Sequence, residues 1–402
     1  MTITESDLRS AAGSAAGGTR LARAIWAKVT EPADPVLGAL IDALGPADAL
    51  SWLSSLKEPR NEGGGLPAEF AGLAPQMRNR LVRALERWRP RLEEVDVDRE
   101  IRTLEHFDGV LVTPEDEEWP QGLNDLGFET PACLWVRGVG KLGEITKRSV
   151  ALVGARAATA YGEDVTMQLA TGLVDSAFTI ISGGAYGIDI AAHRAALAAQ
   201  GTTVVVLAGG ADRLYPRGNA QVFARVLDSG LIVSEHPPGS APTRARFLTR
   251  NRLIAALAQA TVVVEAAWRS GAISTARHAA KLGRALGAVP GPVTSMMSAG
   301  CHGLLRDETA VCVTDAAEVA ELAGQIGEHF AAPPSIVPTL FDTLNGPESA
   351  IFEALPLRKP VALASVARTA GLSFEVTMAT LAQLEMRQIA VREGQLWRRA
   401  KD

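Results

Sequence analysis

Six short aliphatic runs, at residues 149–153, 178–182, 202–207, 231–235, 260–265 and 285–290, alternate with helix-length stretches through the middle of this chain. Each run leads into small or polar residues before the next periodic segment begins. Strands buried on both faces read as continuous aliphatic runs, and strands alternating with helices specify a parallel sheet with right-handed crossovers. The pattern predicts an α/β fold with a doubly wound parallel sheet over residues 101–325. At 402 residues the chain is too long for one ordinary domain, so flanking domains are expected.

Residues 1–100 carry apolar positions at helical spacing, over 20–29, 35–44 and 77–88, with a Gly-rich break at 62–67. They predict an N-terminal helical domain of SAM-like type. The proline-containing stretch 326–346 reads as a linker. Residues 347–402 predict a helix at 348–355, a second at 363–371 ended by Gly371, and a third at 374–386 capped by Ser373. A hairpin turning at Glu393-Gly394 follows. That is the outline of a winged helix.

A hydrophobic fraction of 47% with 21% charged residues is that of a soluble globular protein. Cys133, Cys301 and Cys312 have neither paired nor metal-ligand spacing, which suits buried or incidental thiols in a reducing compartment. The first residues do not follow the pattern of a secretory signal, and no apolar run approaches the ~20 residues of a membrane helix. The expected location is cytoplasmic, and no metal or other cofactor is expected.

Net charge is -5, which argues against a protein that coats nucleic acid with its whole surface. Against this background Arg244, Arg246, Arg250 and Arg252 fall within nine residues that contain no acid. The run continues through Arg269, Arg277, Lys281 and Arg284, with Glu265 the only carboxylate between. Such a focused excess reads as a phosphate site, and nucleic acid is the polymer that supplies many phosphates. Arginine forms bidentate phosphate bonds, and Phe247 within the cluster offers a flat face for an unpaired base. That pairing suits a single strand. Asn251 belongs to the same segment.

The loops after the aliphatic runs supply further candidates. Gly154 and Arg156 follow the first run where a doubly wound fold binds anions, although the glycines do not match a dinucleotide fingerprint. Ser182, Gly183 and Gly184 can offer hydroxyl and backbone donors. Ser270, Gly271, Ser274 and Thr275 stand at a helix start and can cradle a phosphate. Asp189 and His193, four apart on one helix face, read as a positioning hydrogen bond rather than a catalytic pair. Tyr215-Pro216 reads as a structural turn.

Taken in order, several blocks resemble the DNA-processing protein A family, also called Smf. They are Trp119-Pro-Gln-Gly-Leu123, Val153-Gly-Ala-Arg156, Ser182-Gly-Gly-Ala-Tyr-Gly-Ile-Asp189, Ala192-His193, Tyr215-Pro216 and Ser234-Glu235. Phe247-Leu-Thr-Arg-Asn-Arg-Leu-Ile254, Val264-Glu-Ala266, Ser270-Gly-Ala-Ile-Ser-Thr-Ala276, Val289-Pro-Gly-Pro292 and Gly300-Cys-His-Gly-Leu-Leu305 complete the series. The resemblance spans about half the chain. It implies an extended Rossmann-like domain that binds single-stranded DNA through a basic pocket, forms a homodimer, and helps load a RecA-type recombinase in recombination and natural transformation. A single-strand-binding protein is a further implied partner. Carried over by position, the pocket would use Gly154, Arg156, Ser182, Gly183, Arg244, Phe247, Arg250, Asn251 and Arg252. Two departures are Gly184, where many relatives have a bulkier apolar residue, and Ser295-Met-Met-Ser298, which lacks the usual Gly/Asn-rich loop.

Two other readings stay open. The fold also resembles nucleotide phosphoribohydrolases, whose phosphate loop carries a catalytic Glu. Here Ala276, Arg277 and His278 occupy that helical turn with no Glu, which favours binding over glycosidic cleavage. The C-terminal segment would make a duplex-DNA regulator if its third helix read bases. That helix carries Glu375 and Glu385 where duplex readers place Arg, Lys, Asn or Gln.

Overall fold

In the computed structural model, which describes residues 15–56, 72, 74–324 and 344–400, all six aliphatic runs are strands of one nine-stranded sheet. The residues expected to form the 62–67 break, and those of the 326–346 linker as far as 343, lie outside the described residues. Two compact units divide the chain, residues 1–331 and 332–402.

Among the described residues the first unit begins with five helices: α1 (Ala15–Val29), α2 (Pro35–Leu44), α3 (Pro46–Ser55), α4 (Pro75–Glu93) and α5 (Val97–His106). Proline begins α2, α3 and α4, where a missing N–H costs no intrahelical bond. Their apolar stripes meet around Ile25, Trp26, Leu40, Leu50, Leu53 and Trp88, and Ala132, Cys133 and Trp135 belong to the same core. The helices thus share a core with the start of the sheet, within the unit 1–331. Among the described residues no single helix is long and apolar enough to cross a membrane.

After β1 (Val110–Val112) and β2 (Leu134–Gly138) come the alternating elements. They run β3 (Ser149–Val153), α6 (Ala160–Asp175), β4 (Thr179–Ser182), α7 (Ile188–Ala198), β5 (Thr203–Leu207), α8 (Ala220–Ser229), β6 (Leu231–Ser234) and α9 (Arg244–Leu257). The series ends with β7 (Ala260–Val263), α10 (Gly271–Lys281), β8 (Ala285–Ala288), α11 (Ala299–Arg306), β9 (Val311–Cys312) and α12 (Ala316–Ala323). The sheet order is β1-β2-β6-β5-β4-β3-β7-β8-β9. It is parallel from β6 to β9, while β1 and β2 join one edge antiparallel.

Period-two alternation assigns each strand residue to a layer. Ala151, Val153, Ile181, Val204, Val206 and Val263 pack with Leu253, Ile254, Ala272 and Ile273 of α9 and α10. Val150, Leu152, Ile180 and Val262 point the other way, onto Leu169, Leu173, Ile188 and Ala192 of α6 and α7. Each fully buried Leu or Ile contributes about 1.5–3 kcal/mol. In α9 that burial is concentrated in the C-terminal half, where residues 253–257 are all buried. With buried Arg250, Asn251 and Arg252 it anchors the helix and leaves residues 244–249 exposed or half-buried.

The second unit holds α13 (Gly346–Ala354), β10 (Val361–Ala362), α14 (Leu363–Ala370), α15 (Phe374–Met386), β11 (Ala390–Glu393) and β12 (Leu396–Arg399). Asn345 and Glu348 form a reciprocal capping box at α13, Gly371 ends α14 in the left-handed conformation, and Ser373 caps α15. Ile351, Phe352, Leu381, Leu384 and Trp397 close its core.

Candidate nucleic-acid interface

Strand order reverses between β3 and β7, so the chain leaves these adjacent strands toward different sides. The crevice outside the carboxyl ends of strands at such a point is where open α/β sheets bind ligands. A cavity of about 1220 Å³ opens there. Its walls are the loop 153–157 after β3, the loop 267–270 after β7 with the start of α10, and the N-terminal half of α9.

Thr243 caps α9, its Oγ1 accepting from the Arg246 N–H at 3.3 Å. At about 100° per residue, Arg244, Phe247, Arg250, Asn251 and Ile254 share one face of this helix, and all five line the cavity. Phe247 is half-buried. The guanidinium carbons of Arg156 and Arg250 lie 5.0 and 6.0 Å from its ring centroid, and the Tyr215 ring lies 6.0 Å away.

Arg250 is buried and donates through Nη1 to the Val206 carbonyl. Burial lowers its pKa to about 10, with Asp189 opposing the shift and Arg156 adding to it, so it stays cationic at neutral pH. Asp189 is the one carboxylate on the cavity wall among the described residues. Burial raises its pKa, while Arg250 and the N–H groups of Ala185, Gly154 and Gly183 pull it back. Facing it are five arginines, Arg156, Arg244, Arg250, Arg269 and Arg277. The cavity is strongly electropositive.

On the second wall Ser270 caps α10, its Oγ accepting from the Ala272 N–H at 3.3 Å. Asn251 Nδ2 donates to the Gly271 carbonyl at 3.2 Å and ties α9 to this turn. No acid occupies the first turn of α10, so its dipole end faces the cavity uncompensated. The start of α6 differs. Glu265 accepts from the Thr159 N–H at 2.9 Å and from Thr159 Oγ1 at 2.7 Å. The helix N-terminus after β3, an expected anion site, is filled by the chain's own carboxylate.

Of the residues singled out from sequence, Gly154, Arg156, Arg244, Phe247, Arg250, Asn251, Ser270, Gly271, Ser274 and Thr275 line this one cavity. Four do not. Ser182 is buried and its hydroxyl donates to the Leu152 carbonyl at 2.6 Å. Gly183 is packed by the Arg250 guanidinium, 2.1 Å from where a Cβ would stand. Gly184 adopts φ +68° beneath Phe223. Arg252 lies on the opposite side of α9, buried and bonded to Glu235 at 2.6 Å. Arg246 also leaves the cluster and pairs with Glu31.

Asp189 and His193 form no pair: His193 Nδ1 meets Thr203 Oγ1 at 2.7 Å, and burial followed by the Arg250 charge lowers its pKa to about 3. Three further residues belong to the cavity wall. Tyr215 follows the third run and carries a cis bond to Pro216, yet its half-exposed ring lines the cavity. Trp268 and Arg269 are exposed beside Ser270. The signal was their place in strand-end loops. Among the described residues no group of His, Cys, Asp and Glu is disposed to hold a metal ion.

Residues 110–324 match the family model of DNA recombination-mediator protein A. Over 390 residues, 94% of each chain, the sequence is 41% identical to the putative DNA processing protein DprA of Mycobacterium tuberculosis strain H37Rv. It is 36% identical over 204 residues to DNA processing protein DprA of Streptococcus pneumoniae, covering 51% of this chain and 71% of that one. The X-ray structure of DprA from Streptococcus pneumoniae superposes with a TM-score of 0.54 at 31% identity, over 60% of this chain and 83% of that chain. The sequence, with its order of motifs and its sheet, thus belongs to the DNA recombination-mediator protein A family.

Proposed function

We propose that the protein binds single-stranded DNA, without strong sequence preference, in the cavity between β3, β7 and α9. One observation carries this reading: a half-buried phenylalanine ring faces two guanidinium groups, and five arginines surround a single carboxylate. Arginine satisfies phosphate, and an aromatic face takes a base only when that base is unpaired. Asp189, the carboxylate present, is already engaged by loop N–H groups and by the Arg250 charge. That engagement favours binding over the glycosidic cleavage of the phosphoribohydrolase-like alternative.

Family membership supports a role as a recombination mediator, and loading of a RecA-type recombinase onto the bound strand is our reading of that role. We further read the protein as a homodimer and the C-terminal unit as a winged helix. The order of three helices followed by the β11–β12 hairpin supports the latter. α15 has no Lys or Arg, and Arg387 beyond its end is bonded to Glu348 at 3.1 Å, which favours a partner-binding role over duplex reading.

Fluorescence anisotropy with a labelled oligonucleotide, single-stranded against duplex, tests the core of this. Preference for the single strand, lost in Arg156→Glu, is expected; equal binding of both forms would sink the reading. A RecA-type recombinase should then assemble faster on strands covered by single-strand-binding protein when this protein is added.

A further inference from the structure

Trp268 differs from the other tryptophans of the chain. Of seven, Trp26, Trp88, Trp119 and Trp135 are fully buried, Trp397 is 5% exposed and Trp52 is half-buried, whereas Trp268 is 61% exposed. An indole usually buries most of its large apolar surface, so an exposed one on a cavity wall is informative. Trp268 is nevertheless seated. One edge rests on α11 at Gly303, where an added Cβ would come within 2.8 Å of Cζ3 and 3.3 Å of Cη2. Glycine at 303 makes room for the ring while most of its surface stays open.

The surroundings match that surface to a ligand. Arg269 and Arg277 line the same cavity, and α10, whose first turn carries no acid, begins two residues beyond Arg269. Phe247 stands on a different wall and is already engaged by Arg156, Arg250 and Tyr215. No ring or cation contact among the described residues involves Trp268. An aromatic face flanked by phosphate-binding groups is the arrangement that holds a single strand: the base stacks while neighbouring cations take the backbone.

We infer that Trp268 is a second base-stacking platform, so that a bound strand contacts both the α9 wall and the β7–α10 wall. The inference rests on the single-strand reading of the cavity and adds to it a path for the chain. Stacking on an indole tolerates every base, which fits binding without sequence preference.

The test uses the full-length protein and an oligothymidylate. Because Trp268 is the exposed indole, saturating oligothymidylate should quench the tryptophan emission of the wild type. Trp268→Phe should lose the quench and bind with an affinity between wild type and Trp268→Ala. Trp268→Ala should bind roughly 5- to 100-fold more weakly by anisotropy, as expected for one lost stack. Binding by the wild type with unchanged emission, or undiminished affinity in a folded Trp268→Ala, overturns the inference and leaves the reading of the cavity standing. A wild type that binds no single strand removes both.

Discussion

The Arg252 guanidinium meets the Glu235 carboxylate 2.6 Å from Nη2 to Oε1, with side chains 1% and 10% exposed. Among the described residues Arg252 Nε and Nη1 have no hydrogen-bond partner, so compensation of the charge comes through Glu235. The pair thus ties α9 to the segment that leaves β6. Removing one member of a buried pair leaves the other charge uncompensated and costs about 3–5 kcal/mol. Arg252→Ala should lower the free energy of unfolding by about that amount in urea denaturation. An unchanged midpoint would show that the pair is not a structural tie.

Phe247 has the opposite profile. It is half-buried on the N-terminal half of α9, so Phe247→Ala should cost little stability. A lost base–aromatic contact weakens binding by about 1–3 kcal/mol, and the two guanidinium groups would lose the ring they face. Anisotropy should therefore report a large loss of single-strand affinity in a variant that melts close to wild type. Matching losses of stability and affinity would instead make Phe247 a packing residue.

Arg156 is exposed on the cavity wall and reaches both the ring and the solvent. A phosphate contact made there should appear in the salt dependence. For single strands, log K falls with log salt by about 0.7 per neutralised phosphate. Arg156→Ala should flatten the slope by about that amount, besides lowering affinity at low salt. A slope equal to that of the wild type would mean that Arg156 serves the ring and not the backbone.

The six central strands were legible because burial on both faces leaves uninterrupted aliphatic runs, and no competing helix of that length was plausible. The antiparallel additions β1 and β2 were not. β1 is three residues long and its burial runs from exposed to buried, so neither run length nor composition marks it. The site was legible as a cluster but not as a surface. Residues 244–252 read as one basic patch, whereas Arg244 and Arg250 line the cavity, Arg246 pairs with Glu31 and Arg252 with Glu235. Rotation alone does not sort them: at about 100° per residue Arg244 stands about 80° from Arg252 but about 120° from Arg250, so the packed neighbours decide. The partner that pairs with Arg252 lies just past the end of β6, and only the crossover brings it there. The Ser182-Gly183 loop was read for its donors, but its glycine serves to admit the Arg250 guanidinium.

His193 yields a prediction about acid stability. Thr203 Oγ1 donates to the Ile180 carbonyl at 2.7 Å, so it accepts from His193, which places the imidazole proton on Nδ1. Burial first, and then the Arg250 charge, holds this ring neutral down to about pH 3. His236 is held to about 4 by burial and by Arg246, against the opposing charge of Glu31. In the unfolded chain both titrate near 6.5. Between these values the unfolded state binds more protons than the folded one. The stability tied to the neutral rings is therefore fully present above about pH 6.5 and is lost as pH falls toward 4 and then 3. Each ring contributes a slope of about 1.4 kcal/mol per pH unit within its window. Asp189 and Glu235, raised by burial, act with the opposite sign, since their contribution is present at low pH and lost as pH rises through their folded values. Comparing variants removes that background. In urea denaturation from pH 6.5 to 5, His193→Gln should lose stability less steeply than the wild type, by about one ring's share. Parallel slopes would mean that His193 takes up its proton in the folded protein.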